Sequence, residues 1–208
     1  MSQYDGGAVV TILCFIIGYV CGSILTAEFV ARKFTGKGAA KIGTGNPGMA
    51  NIMAQVGKRA GFIVLAGDIA KTLGAFAIAW LIAGSSLGKN VFLWSGFGAL
   101  MGHNFPAWRG FKGGKGVTVT CTWLIILMPI WGTLSCIIGG VVTVMTGYLP
   151  LGAILIPMVA IPFAFLFEGA EAGVFMVLAF GIMVGKHYRG FLRITKGQEK
   201  KYGRSSVR

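Results

Sequence analysis

Acidic residues are scarce in this chain of 208: 6 Asp and Glu stand against 19 Lys and Arg, and charged residues of both signs make up only 12%. Soluble domains carry about 25% charged residues. With half that share, 55% apolar content and a mean hydropathy of +0.75, the chain lacks the polar surface of a water-soluble globule. The apolar content equally excludes a disordered polar protein, whose low hydrophobicity is what keeps it from collapsing. Histidine is limited to 2 residues and cysteine to 4. Cys14, Cys21, Cys121 and Cys136 all fall in apolar segments and pair with no histidine at close spacing, which argues for packing over a disulfide framework or a zinc site. Carboxylates and histidines do not cluster at ligand spacing either, so neither a metal nor another cofactor is expected. In a soluble chain the cation excess would suggest nucleic acid; in a bilayer protein it reports topology instead, and no nucleic-acid partner is expected.

What the chain has in quantity is apolar runs. A spanning helix needs roughly 20 mostly apolar residues. Seven segments qualify: Ala8 to Val30, Phe62 to Gly84, Asn90 to Pro106, Lys115 to Ile130, Trp131 to Gly147, Leu149 to Phe167 and Ala172 to Tyr188. The fourth and fifth are short and meet near Pro129 and Gly132, so six helices are also arguable. The expectation is an all-α integral membrane protein of seven transmembrane helices, one polytopic domain over residues 1–208.

Cation placement tests that count, because loops rich in Lys and Arg stay cytoplasmic. Seven spans put Arg32, Lys33, Lys37, Lys41, Lys58 and Arg59 in the first loop and Arg109, Lys112 and Lys115 in the third. Lys186, Arg189, Arg193, Lys196, Lys200, Lys201, Arg204 and Arg208 fall in the tail, all on that same side. Only Lys89 falls opposite, and Lys71 lies inside the second span. The N-terminus is therefore expected outside and the C-terminal tail in the cytoplasm, with Glu168 and Glu171 facing outward. The first segment has no basic start and carries Asp5, so it is expected to stay as an anchor and not to be cleaved. Gly18, Gly22, Gly96, Gly98, Gly139, Gly140, Gly181 and Gly185 lie within spans, where small residues let helices approach.

The chemistry sits where the apolar rule breaks. Gly43-Thr44-Gly45-Asn46-Pro47-Gly48-Met49-Ala50-Asn51 offers three glycines, a hydroxyl and amides that suit either an anion cradle or a tight turn. Gly102-His103-Asn104-Phe105-Pro106 leads to Phe111-Lys112-Gly113-Gly114-Lys115-Gly116. Its Gly113-Gly114-Lys115-Gly116 stretch places one ammonium and helix N-terminal amides together, a combination suited to phosphate or to lipid headgroups. It lacks the spacing of a nucleotide phosphate loop. His103 and His187 both fall near cytoplasmic span ends. Asp68 and Lys71, at i and i+3 within the second span, read as an ion pair, as do Glu28 and Arg32 at i and i+4.

Together these residues resemble the bacterial membrane acyltransferases of the PlsY type, which move a fatty acyl group from acyl phosphate to glycerol 3-phosphate. Gly22-Ser23-Ile24 with Glu28 resembles the family's first-helix motif, Gly43 to Asn51 its G-S-G-N-x-G-A-T-N, and Asp68 with Lys71 its D-x-x-K. Gly102 to Pro106 and Phe111 to Val117 are similar to G-H-x-F-P and F-x-G-G-K-G-V, and Lys186-His187 with Arg193, Gly197 and Glu199 to the tail motif. The resemblance implies a seven-helix bundle with an external N-terminus in the bacterial cytoplasmic (inner) membrane, making lysophosphatidic acid for phospholipid synthesis without a cofactor. Its partners would be acyl phosphate, glycerol 3-phosphate and membrane lipid. It implies catalytic roles for Thr44, His103 and His187. Phosphate would be held by Gly45, Asn46, Asn51, Gly113, Gly114, Lys115 and Gly116, while Glu28, Asp68, Lys71, Arg193 and Glu199 would be polar supports. All would gather in one cation-lined cup.

The chain departs from the pattern at particular positions. Thr44 stands for the motif serine, Ala54 for an arginine, Pro150 and Ala153 for two serines, and Gly190 for the asparagine after the tail histidine. A non-catalytic relative serving as a structural or lipid-phosphate-binding subunit is therefore the competing expectation, and a small anion transporter a third.

Overall fold

The computed structural model describes residues 2–199 and 201, with side chains from Gly7 onward. The side chain of Asp5 and the tail cations Lys200, Arg204 and Arg208 lie outside the described residues. Every regular element described is helical. In chain order these are α1 (Ser2–Gly22), α2 (Thr26–Thr35), α3 (Met49–Val56), α4 (Lys58–Leu87), α5 (Asn90–Asn104), α6 (Val117–Leu127), α7 (Pro129–Thr146), α8 (Leu149–Phe163) and α9 (Ala170–Thr195). Short 3₁₀ turns cover Ala39–Lys41 and Ala107–Arg109, and a π-helical turn, Ala164–Glu168, extends α8.

The surface is inverted relative to a soluble protein. Leu81, Val144, Met145, Ile130 and Leu166 are each at least 75% exposed, while Glu28, Asp68, Lys71, Thr72, Ser95, His103 and His187 are buried. Only a hydrocarbon solvent makes that arrangement favourable, and the helices satisfy their own backbone groups within it. Among the described residues five stretches are long and apolar enough to cross: Gly7–Thr35, Lys58–Leu87, Pro129–Thr146, Leu149–Glu168 and Ala170–Thr195.

These stretches correct the expected boundaries. The first segment is two helices, parted at Ser23–Leu25 where Leu25 turns extended (φ −88°, ψ 91°). With 15 and 11 residues, α5 and α6 rise only about 22 and 16 Å, short of a core about 30 Å thick. Met128 breaks the chain before Pro129, which opens α7 where a missing N–H costs nothing. The last helix continues two turns beyond Tyr188, to Thr195.

Two compact units divide the chain, Met1–Trp123 and Leu124–Arg208. In the first, α1 packs on α5 and α4. A side chain on Gly18 or Gly22 would strike the backbone of Ser95 or Ala99, and one on Gly98 or Gly102 the backbone of Phe15 or Tyr19. Four glycines at i, i+4 spacing thus form a seam of close backbone approach. In the second unit α8 packs on α7 and α9. Gly139 and Gly152 face each other's carbonyl oxygens, and Trp131 stacks on Phe163 with ring centroids 4.2 Å apart.

Candidate active site

The first polar cluster is built around Lys71, three residues after Asp68 on α4. Lys71 Nζ lies 2.8 Å from Asp68 Oδ1, donates to the carbonyl oxygen of Ile24 at 2.8 Å, and lies 2.8 Å from His103 Nδ1. Two of the ammonium's three N–H donors have acceptors in the Ile24 carbonyl and His103 Nδ1, and Asp68 balances the charge at ion-pair distance. That pairing is what allows the charge to be buried within a span. The Ile24 carbonyl is available because the chain breaks between α1 and α2, so the interruption of the first span supplies one of the ligands. With ammonium as donor, His103 accepts at Nδ1, and its neutral ring then carries the proton on Nε2.

The glycine run folds over that ring. Gly113 N donates to the Asn104 carbonyl (3.2 Å) and Gly114 N to the His103 carbonyl (3.0 Å). A side chain on Gly114 would strike His103 Nε2, and one on Gly113 the His103 carbonyl and Pro106. This corrects the expectation that the amides of Gly113 and Gly114 face a phosphate: they cap the last carbonyls of α5, which have no partner within their own helix. Gly116 needs its positive φ of 79° and packs on Asn104, and its carbonyl accepts from Thr120 N, starting α6. Lys115 is held half-buried between these glycines, immediately before α6.

The first loop is organised from inside by Asn51. Its Nδ2 donates to the carbonyls of Ile42 and Asn46, both at 3.0 Å, and its Oδ1 accepts from Thr44 N at 2.9 Å. Asn51 is buried and spends its amide on the loop, which corrects its assignment to phosphate. Thr44 is exposed; its Oγ1 accepts from Asn46 N at 3.4 Å, beside Gly43 and Gly45, both at positive φ. Asn46 is half-buried and its carbonyl also accepts from Gly48 N.

A third knot centres on Glu28. Its Oε1 accepts from Arg32 Nε (2.9 Å), its Oε2 accepts from Ala39 N (3.0 Å), and Arg109 Nη2 lies 3.5 Å from Oε2. Two further residues escaped the reading of the sequence. Tyr19 Oη donates to the Phe105 carbonyl (2.8 Å) and accepts from Ala107 N (3.0 Å), and Trp108 Nε1 donates to the Ser23 carbonyl (2.9 Å). An aromatic with one polar atom near a span end is the available signal for Tyr19; nothing in the spacing foretells the Arg109 contact.

His187, Arg193 and Glu199 belong to the second unit. His187 is wholly buried, and its Nδ1 donates to the Met183 carbonyl one turn earlier (3.0 Å). Arg193 Nε donates to Glu199 Oε2 (2.5 Å), and Gly197, at φ 67°, turns the chain so that the amides of Gln198 and Glu199 return to the Arg193 carbonyl. Gly190 and Pro150, two of the departing positions, are in contact.

Residues 12–197 match the family model described as glycerol-3-phosphate acyltransferase. The glycerol-3-phosphate acyltransferase 1 of Lactobacillus johnsonii is 34% identical over 187 residues, covering 89% of each chain. Its counterpart from Rubrobacter xylanophilus is 30% identical and covers 92% of this chain and 95% of its own. The crystal structure of PlsY (YgiH), an integral membrane glycerol 3-phosphate acyltransferase, in its glycerol 3-phosphate form superposes with a TM-score of 0.81 at 25% identity. That superposition covers 93% of this chain and 96% of PlsY.

Proposed function

The chain belongs to the glycerol-3-phosphate acyltransferase family, and on that premise we propose its reaction. It is an acyltransferase that moves a fatty acyl group onto a hydroxyl of glycerol 3-phosphate, giving lysophosphatidic acid, with acyl phosphate as the donor. The match to the family over residues 12–197 carries the activity. The donor is supported by chemistry, since acyl phosphate is a mixed anhydride already activated for attack, so that no covalent acyl-enzyme is needed. The setting we propose is seven membrane-crossing helical segments, α5 and α6 included as short ones, in a bacterial inner membrane. The N-terminus lies outside and the cationic loops face the cytoplasm.

In the reaction the glycerol hydroxyl oxygen bonds to the acyl carbonyl carbon, the bond from that carbon to the phosphate oxygen breaks, and inorganic phosphate leaves. The hydroxyl proton goes to a base. Holding two phosphate-bearing molecules in register supplies much of the acceleration. Lys115, at the start of α6, grips phosphate by charge, helped by the N-terminal amides of that helix. The Thr44 hydroxyl and Asn46 hydrogen-bond substrate oxygens. His103 has its Nδ1 engaged by Lys71, so it acts as a positioning residue that holds the 113–116 loop.

The test is purified protein given acyl phosphate and glycerol 3-phosphate, with lysophosphatidic acid and released phosphate both measured. Turnover that falls at least a hundredfold in Lys115→Ala is the expected result, in the range of removing one electrostatic contact to developing charge, about 10²–10³. Wild-type protein that binds glycerol 3-phosphate without forming product would overturn the reading in favour of a non-catalytic relative.

A further inference from the structure

We propose that the cavity bordered by Arg32, Lys37, Lys41, Trp108 and Arg109 around Glu28 is a second phosphate site, taking a phosphomonoester dianion. It shares no lining residue with the Thr44 and Lys115 positions and does not depend on the catalytic reading. Its volume is about 380 Å³, toward the small end of ligand sites at roughly 300–1,000 Å³. That is room for a phosphoryl group with a three-carbon backbone.

Charge selects the ligand class. Four cations line the cavity with one carboxylate, and that carboxylate is committed on both oxygens to Arg32, Ala39 N and Arg109. Among the described residues no carboxylate lies within ion-pair distance of Lys37 or Lys41. A dianion gains more than a singly charged diester from such a surplus.

The guanidinium at the wall is set before any ligand arrives. Arg109 is tied to Glu28 and lies over the Trp108 ring, 5.9 Å from its centroid, and Trp108 is itself fixed to the Ser23 carbonyl. A fork held in place loses little freedom on binding. Gly38 contributes by absence: any side chain there would strike the Glu28 carboxylate and break the arrangement.

A phosphomonoester can arrive free or as a lipid headgroup, and the test separates these. Full-length Lys115→Ala protein in phosphatidylcholine nanodiscs is titrated with glycerol 3-phosphate in one arm and lysophosphatidic acid in the other. Removing Lys115 weakens binding at the reaction site, and the part of the remaining binding that responds to the cavity's own lysines reports the cavity whether or not the protein turns over. Adding Lys37→Gln and Lys41→Gln, two exposed side chains, should weaken binding about fivefold or more in one arm or both, the affected arm identifying the source. Lys112→Gln removes an exposed cation outside the cavity and should change binding less than twofold. Equal losses in the two sets, or no loss in either arm, would overturn the proposal.

Discussion

Pro150 fills the space that a side chain on Gly190 would need: a Cβ built there lies 2.8 Å from Pro150 Cγ and 3.6 Å from Glu199 Oε1. These are two of the positions where the chain departs from the family's serine and asparagine, so two apparently separate changes are one packing solution between α8 and α9. Gly190→Asn alone should overpack that contact and cost about 1–3 kcal/mol. Pairing it with Pro150→Ser should recover most of the loss, a non-additivity expected only of residues in contact. Thermal melts of the two single variants and the double in detergent measure it, and strictly additive shifts would refute the coupling.

Lys71 is ion-paired with Asp68 and contacts both the Ile24 carbonyl and His103, so its removal strands Asp68 and unlocks His103 together. Lys71→Met should destabilise by about 3–5 kcal/mol, the range for leaving one buried charge unpaired. Asp68→Asn combined with Lys71→Met removes both charges and should be the more stable of the two. If Lys71→Met alone melted like the wild type, the ammonium would not be sustaining this cluster.

The Thr44 hydroxyl sits in a loop whose shape is fixed by Asn51 from beneath, so the two residues separate by assay. Thr44→Ser keeps the hydroxyl, drops one methyl and frees the side chain at χ1; turnover should equal or exceed that of the starting protein. Asn51→Ala removes three hydrogen bonds from the loop and should lower kcat with a fall in stability of about 1–3 kcal/mol. A tenfold loss in Thr44→Ser would mean that the loop does not present its hydroxyl to substrate.

Apolar run length made the helical class and most spans legible, because burial in hydrocarbon acts on every residue of a segment. The break at Ser23–Leu25 was not legible: no proline marks it, and the reason for it, the Ile24 carbonyl turned to Lys71, lies 47 residues away in sequence. The glycine run was read as free amides because local sequence does not show that the end of α5 claims them. Helix ends leave unpaired carbonyls wherever they fall, and here the nearest donors are Gly113 and Gly114. The pairs Asp68–Lys71 and Glu28–Arg32, being within one turn, were readable from spacing alone, whereas Arg109 with Glu28 and Pro150 with Gly190 depend on tertiary approach.

The α1–α5 seam gives the sharpest test of the fold, because glycine serves there by absence. Side chains on Gly18, Gly22, Gly98 and Gly102 would meet backbone atoms, which cannot move aside as a flexible side chain can. Gly140 and Gly181, also within spans, would meet nothing within 4 Å. Replacing Gly18 or Gly102 with leucine should therefore cost about 3 kcal/mol or more, while Gly140→Leu and Gly181→Leu should fold like the wild type. Helix propensity pushes all four in the same favourable direction, since leucine exceeds glycine by close to 1 kcal/mol in a helix interior. Any difference between the two pairs then reports interhelical distance alone. Melting temperature and the monodisperse fraction after extraction read it out, and seam variants as stable as the lipid-facing ones would mean that α1 and α5 do not touch through these glycines.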